Sequence, residues 1–248
     1  MIVGPLVYHV SPSKTTSGQD LPPSAAHPFG TDFLGRDELA QLIWGSYPSL
    51  FISVSAAIGA VFVGLIAGVL AGYFQKAEPF FTGAADVILT FPGIPLLVLI
   101  GSLFVVNDPL IALLLILILW APVARTIRST VLSVKERPFV EAARTSGMSK
   151  WQVIRRVIIP QVAPIAIAYF VIVVAIAIVL VTSLEFLGVG NPNEVTWGSM
   201  LYWAQQYAFF TGSWWSIVVP GLSISLVAAG FALIGFSVEE ISDPRLRV

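Results

Sequence analysis

No cysteine occurs among the 248 residues, which excludes disulfides, thiolate metal sites and cysteine nucleophiles. Histidine is nearly as scarce. His9 and His27 are the two, both in a polar, Pro- and Ser-rich stretch ahead of the first long apolar run. A Ser-His arrangement inside the apolar part is therefore excluded, and no histidine cluster is available for a metal. There is no GxxxxGK[ST] loop, so the chain does not bind ATP through that motif. Charge is lacking too: 11% of residues are charged, against about 25% in ordinary soluble domains. The formal net charge of −1 gives no footprint for nucleic acid. These absences leave no basis for catalysis within this chain and no resident metal or cofactor.

What the chain has instead is apolar length: 56% hydrophobic residues and a mean hydropathy of +0.88. A membrane-crossing helix needs roughly 20 apolar residues to span about 30 Å of hydrocarbon. Ser49–Phe74, Val87–Val106, Val157–Leu184 and Trp214–Val238 carry no charge. Pro109–Ala124 is shorter, and Arg125 extends it by snorkelling. The pattern predicts an all-α integral membrane protein with five complete spans, at about 49–74, 87–106, 109–128, 160–184 and 214–238. Met1–Tyr8 is too short to cross and lacks the basic start of a secretory signal. It reads either as the outer end of a helix that begins before residue 1 or as an apolar start.

Lys and Arg stay with cytoplasmic segments. Alternating the five spans puts Lys76, Arg125, Arg128, Lys135, Arg137, Arg144, Lys150, Arg155, Arg156, Arg245 and Arg247 on one side, and only Lys14 and Arg36 on the other. The first side is predicted to be cytoplasmic, with the tail 239–248, and residues 9–47 extracytoplasmic. Within the first span Ala56, Ala60, Gly64, Gly68 and Gly72 form a small-residue stripe suited to close helix packing. In the second, Pro92 and Pro95 predict a kink or break, either for packing or to line a pathway. No span has an ionisable residue near its middle; Asp86 and Glu185 sit at span ends. A transporter driven by a mid-membrane carboxylate is thereby excluded.

Between Arg125 and Arg156 stand eight basic residues and two acidic ones, Glu136 and Glu141. A basic loop beside anionic lipid accounts for the charge but not for the detail. Pro138 offers a helix start, and Val140–Arg144 continues it. Ala142, Ala143 and Gly147 leave one side of little bulk, Gly147 gives a turn, and Ser149 is placed to cap a helix from Lys150. Pro160 and Pro164 mark the start of the following span.

Glu141-Ala142-Ala143, three residues, Gly147, nine residues, then Val157-Ile158-Ile159-Pro160 resembles the EAA loop (EAA-x3-G-x9-I-x-L-P) of ATP-binding-cassette importer permeases. Val157 and Ile159 replace Ile and Leu of that pattern. The resemblance implies the type I importer transmembrane fold, and a coupling element at about 134–160 that docks on a separate ATPase. Its residues would be Glu141, Ala142, Ala143, Gly147, Lys150 and Pro160.

Three further stretches resemble the "C" partner of dipeptide, oligopeptide and nickel permease pairs. They are His27–Asp37 with Leu42-Ile43-Trp44-Gly45, Phe186–Gly190 with Trp197–Leu201, and the ending Asp243–Arg247. That family has six spans, so the resemblance implies a first span missing or truncated here. Glu38, Gln41 and Tyr47 depart from the apolar or basic residues it implies.

Gly30, Thr31, Asp32, Gly35, Arg36 and Asp37 read either as a solvated linker with a turn and a helix start, or, by resemblance, as a contact with the partner permease or binding protein. Phe186, Leu187, Gly188, Trp197 and Gly198 are implied to face the substrate path, and the aromatic-rich, uncharged stretch Val195–Trp215, with Trp197, Trp203, Trp214 and Trp215, also suits interfacial anchoring. The implied partners are a homologous "B"-type permease, two ATP-binding subunits holding ATP and Mg, and an extracytoplasmic binding protein. The implied activity is ATP-driven import of di- or oligopeptides, with nickel chelates, glutathione or oligosaccharides as alternatives. A secondary transporter and a membrane scaffold that recruits a soluble partner are the readings from other classes.

Overall fold

Long uncharged runs fold as helices because hydrocarbon offers no partner to a free backbone group. The computed structural model describes residues 8, 10–15, 18–104, 106–191 and 193–242, and its regular structure there is helical. His9, most of the apolar start and the ending Asp243–Arg247 lie outside the described residues. The order is α1 (Glu38–Tyr73), α2 (Glu78–Thr90), α3 (Gly93–Ser102), α4 (Asp108–Lys135), α5 (Pro138–Thr145), α6 (Lys150–Val153), a π-helical turn (Ile154–Ile158), α7 (Ile159–Phe186), α8 (Trp197–Thr211) and α9 (Trp215–Ser242).

Four helical stretches are long and apolar enough to cross a membrane: Glu38–Tyr73, Asp108–Lys135, Lys150–Phe186 and Trp215–Glu240. The fifth predicted span is a bent pair, α2 and α3 meeting at 84°. Phe91, at the break, is extended (φ −83°, ψ 140°), as steric conflict with the Pro92 ring requires. The pair begins at Glu78 rather than near Val87, and its two carboxylates each face an arginine of α4. Asp86 accepts from Arg125 at 2.5 Å, and Glu78 pairs with Arg128.

Pro160 does not start a new helix. Residues from Lys150 to Phe186 are continuous, and the π turn precedes the proline, with Ile159 N–H donating to Ile154 O. The widened turn relieves the clash that a proline ring otherwise makes with the carbonyl four residues back.

The chain forms two compact units. The first takes described residues from Met1–Ser55, Ile94–Ala112 and Ala175–Gly230; the second from Ala56–Gly93, Leu113–Val174 and Phe231–Val248. Among the described residues, Lys14 and Arg36 are the cations of the first unit, and Lys76 through Arg156 supply all those of the second.

In the second unit the small-residue stripe of α1 meets α4. A Cβ on Gly64 would lie 2.7 Å from Val123, one on Gly68 2.7 Å from Ala124 O, and one on Gly72 2.7 Å from Val131. Both helices advance together through these contacts, so α1 and α4 run parallel. Close approach, which only glycine permits here, is what associates helices where water does not drive them together. Ala85 of α2 joins Ala67, Trp120, Ala121 and Ala124 in the adjoining core.

Candidate functional site

The first unit holds the 27–37 segment and the stretch before α8. Gly30 (φ +81°) and Gly35 (φ +73°) turn the chain so that Thr31 and Asp32 between them fold inward while Leu34 stays exposed. Thr31, Asp32 and Asp37 are buried, so these residues are not solvated as the linker reading expects, although its turn and its helix start are present. Asp32 accepts from the Leu34 and Arg36 amides at 2.9 and 2.8 Å, from Arg36 Nε at 2.7 Å and from Gln41 Nε2 at 3.0 Å. Asp37 caps α1 by accepting from Ala40 N–H at 2.8 Å, and its second oxygen lies 2.8 Å from His27 Nδ1. Trp215, at the start of α9, donates its indole N–H to Thr31 O at 3.0 Å. Of the residues that depart from the family pattern, Gln41 completes the Asp32 shell and Glu38 is buried beside Ser216. Tyr47 is exposed and stacks on Phe51.

Trp197 and Gly198 are also internal. Trp197 donates its amide to Ser49 Oγ and its indole to Leu42 O, both at 3.0 Å, which ties α8 to α1. Gly198 leaves space for Glu185: a Cβ there would collide with that side chain and lie 2.9 Å from Thr182 O. Glu185 in turn accepts from Thr196 Oγ1 at 2.8 Å. Thr196 and Ser199 form a capping box, and Gly212 (φ +74°) ends α8.

Phe186 lends its carbonyl to Gln205 Nε2 at 2.8 Å. Leu187 and Gly188 line an open cleft of about 790 Å³, with Asn107, Asp108, Asn191 and Glu194. Burial, and then the Asp108 charge, push the Glu194 carboxyl above its usual range. The sequence offers no role for Ser49, Glu185 or Thr196, and Trp215, expected as an interfacial anchor, bonds Thr31 O instead. Thr196-x-x-Ser199 was the one local signal for that group.

The second unit carries the 134–160 segment. Pro138 is the first residue of α5, and Glu141 sits in its first turn, where a carboxylate suits the helix dipole. Val140 is fully buried and anchors the helix, while Glu141, Ala142, Gly147 and Lys150 are exposed. Gly147 (φ +84°) closes α5: its N–H reaches Arg144 O at 3.1 Å, and the Met148 N–H reaches Ala143 O at 3.3 Å. This paired geometry is the Schellman ending, which favours glycine at that point. Ser149 then caps α6 in a box with Gln152. Nothing lies within 4 Å of a Cβ placed on Gly147. Pro160 lies further along the same helix, also exposed.

The profile of the binding-protein-dependent transport system inner membrane components matches residues 42–248. The dipeptide transport system permease protein DppC of Alkalihalophilus pseudofirmus is 34% identical over 253 residues, covering 99% of this chain and 81% of that protein. Its counterpart in Bacillus subtilis (strain 168) is 31% identical, covering 99% and 78%. An inward-facing structure of the MetNI methionine ABC transporter matches with a TM-score of 0.61 at 17% identity, over 80% of this chain and 96% of that one, which shows a shared fold. The chain therefore belongs to the inner membrane components of binding-protein-dependent transport systems, and is a non-catalytic ABC importer permease with the type I transmembrane fold.

Proposed function

We propose that this chain forms one half of a peptide-importing pore and is coupled to separate ATPases through the 138–150 element. The carrying observation is that element's form: a short helix anchored by buried Val140, a glycine with free space around it, and a second helix with its own cap. A rigid exposed turn of this kind suits docking in a groove of a soluble partner. Glu141, Ala142, Ala143, Gly147 and Lys150 would make that contact. ATP and Mg belong to the ATPase pair, a homologous permease completes the pore, and an extracytoplasmic binding protein delivers cargo.

The segregation of cations supports a cytoplasmic second unit, with the first unit facing the binding protein. On that side Leu187 and Gly188, which line the cleft, are the residues available to cargo, while Trp197 and Gly198 hold α8 in place. Dipeptides as cargo are supported by the names of relatives 31–34% identical.

The test is reconstitution of the assembled transporter in liposomes with its binding protein. ATP-dependent dipeptide uptake that nickel chelates, glutathione and oligosaccharides fail to compete is the expected result. Uptake driven by an ion gradient without ATP would overturn the reading. Replacing Gly147 with a bulky residue should abolish uptake while the ATPase retains its basal activity.

A further inference from the structure

The second unit contains an open cleft of about 720 Å³, walled by the end of α1 (Tyr73), the residues after it (Phe74, Lys76), the end of α4 (Lys135) and the α5–α6 turn (Arg144, Lys150). Glu136 is the one carboxylate on its lining, against the four cations Lys76, Lys135, Arg144 and Lys150. Two of these are held in place. Lys135 Nζ donates to Gly72 O at 3.0 Å, and the Arg144 guanidinium lies 5.4 Å from the centre of the Tyr73 ring. Their positions are thus set before any ligand arrives, which lowers the ordering cost of binding an anion.

The cleft also lies where the uncharged run Ser49–Phe74 ends. Beside it Phe74 packs against Trp151 at 5.7 Å, and Trp151 is 66% exposed. Tyr73 and Phe74 close that uncharged run, and aromatics at the end of an apolar helix mark the headgroup level of a bilayer. A basic pocket between helices at that level has the chemistry to hold a lipid phosphate.

From this geometry we infer that the cleft binds the phosphodiester headgroup of an anionic phospholipid, bridging the bundle to the coupling turn through Arg144. The inference rests on the cytoplasmic placement proposed above only in naming the leaflet. The bound lipid would brace α5 against the ends of α1 and α4.

The experiment uses the assembled transporter in nanodiscs of phosphatidylcholine with and without phosphatidylglycerol, with retained lipid measured by native mass spectrometry. Lys76→Gln should weaken phosphatidylglycerol retention about fivefold, and Lys76→Glu should weaken it further. Arg155→Gln, which removes a cation outside the cleft, should leave retention unchanged. Displacement of the lipid by millimolar glycerol phosphate would support recognition of the phosphate alone. Resistance to it, with the Lys76 effect intact, would support added acyl-chain contact.

Equal retention in Lys76→Gln, Arg155→Gln and the parent would overturn the site. So would loss of ATPase assembly in Lys76→Gln with lipid retention unchanged, which would give the cleft to the ATPase. Because retention is measured without regard to leaflet, a reversed orientation would show only in accessibility labelling and would leave this result standing.

Discussion

Single side chains decide whether the first unit holds together. Gly198→Ala would drive a methyl into Glu185 and toward the Thr182 carbonyl, 2.9 Å away. Overpacking of this kind costs about 1–3 kcal/mol. Thermal unfolding of the detergent-solubilised protein should show a clear fall, and an unchanged midpoint would contradict the packing described. Asp32→Ala should be worse. It strips a buried carboxylate from the half-buried Arg36 and from buried Gln41, and breaking a buried pair costs up to about 3–5 kcal/mol. The measurement is the same, with Arg36→Ala as the companion that should not add to the loss. The role of Asp32 was not legible in the 27–37 residues themselves. Gly30 and Gly35 announce turns, but the Thr31 carbonyl is met by an indole 184 residues away, and no local pattern carries that contact.

Among the elements, α1 and α4 meet along a seam that is legible as small residues at every fourth position. Gly68→Leu should open it, because Ala124 O and Ile127 already lie 2.7 Å from a Cβ there. Gly83→Ala, on α2, is the contrasting case. Nothing lies within 4 Å, so relief of glycine's helix penalty should stabilise by up to about 1 kcal/mol. Opposite signs in the two melting shifts are the expected outcome.

For the coupling turn, Gly147→Asn should retain more transport than Gly147→Ala, since asparagine tolerates the left-handed conformation and alanine does not. Equal transport by both would remove the backbone argument and leave only bulk. The turn was readable because glycine, proline and a serine cap are local signals. By contrast α8 was hidden. Its inward stripe of Met200, Ala204 and Ala208 is interleaved with Trp203, Tyr207, Phe209 and Phe210, so the stretch reads as uniformly aromatic.

For the molecule as a whole, the lack of any cysteine makes the proposed orientation directly measurable. Ser13→Cys and Ser133→Cys place single thiols on exposed residues of the first and second units, the latter outside the 138–150 element. A membrane-impermeant maleimide should label the first in intact cells and the second only after lysis; the reverse result would invert the topology. Finally, the Trp197 indole bonds to Leu42, 155 residues earlier in the chain. A ribosome adds about 5–20 residues per second, so the start of α1 waits roughly 8–30 s for that partner. Its glycine face meets α4 far sooner, since Val123 follows Gly64 closely by comparison. The order of synthesis therefore closes the α1–α4 seam first, and leaves the α1–α8 tie as a later step that waits for Trp197.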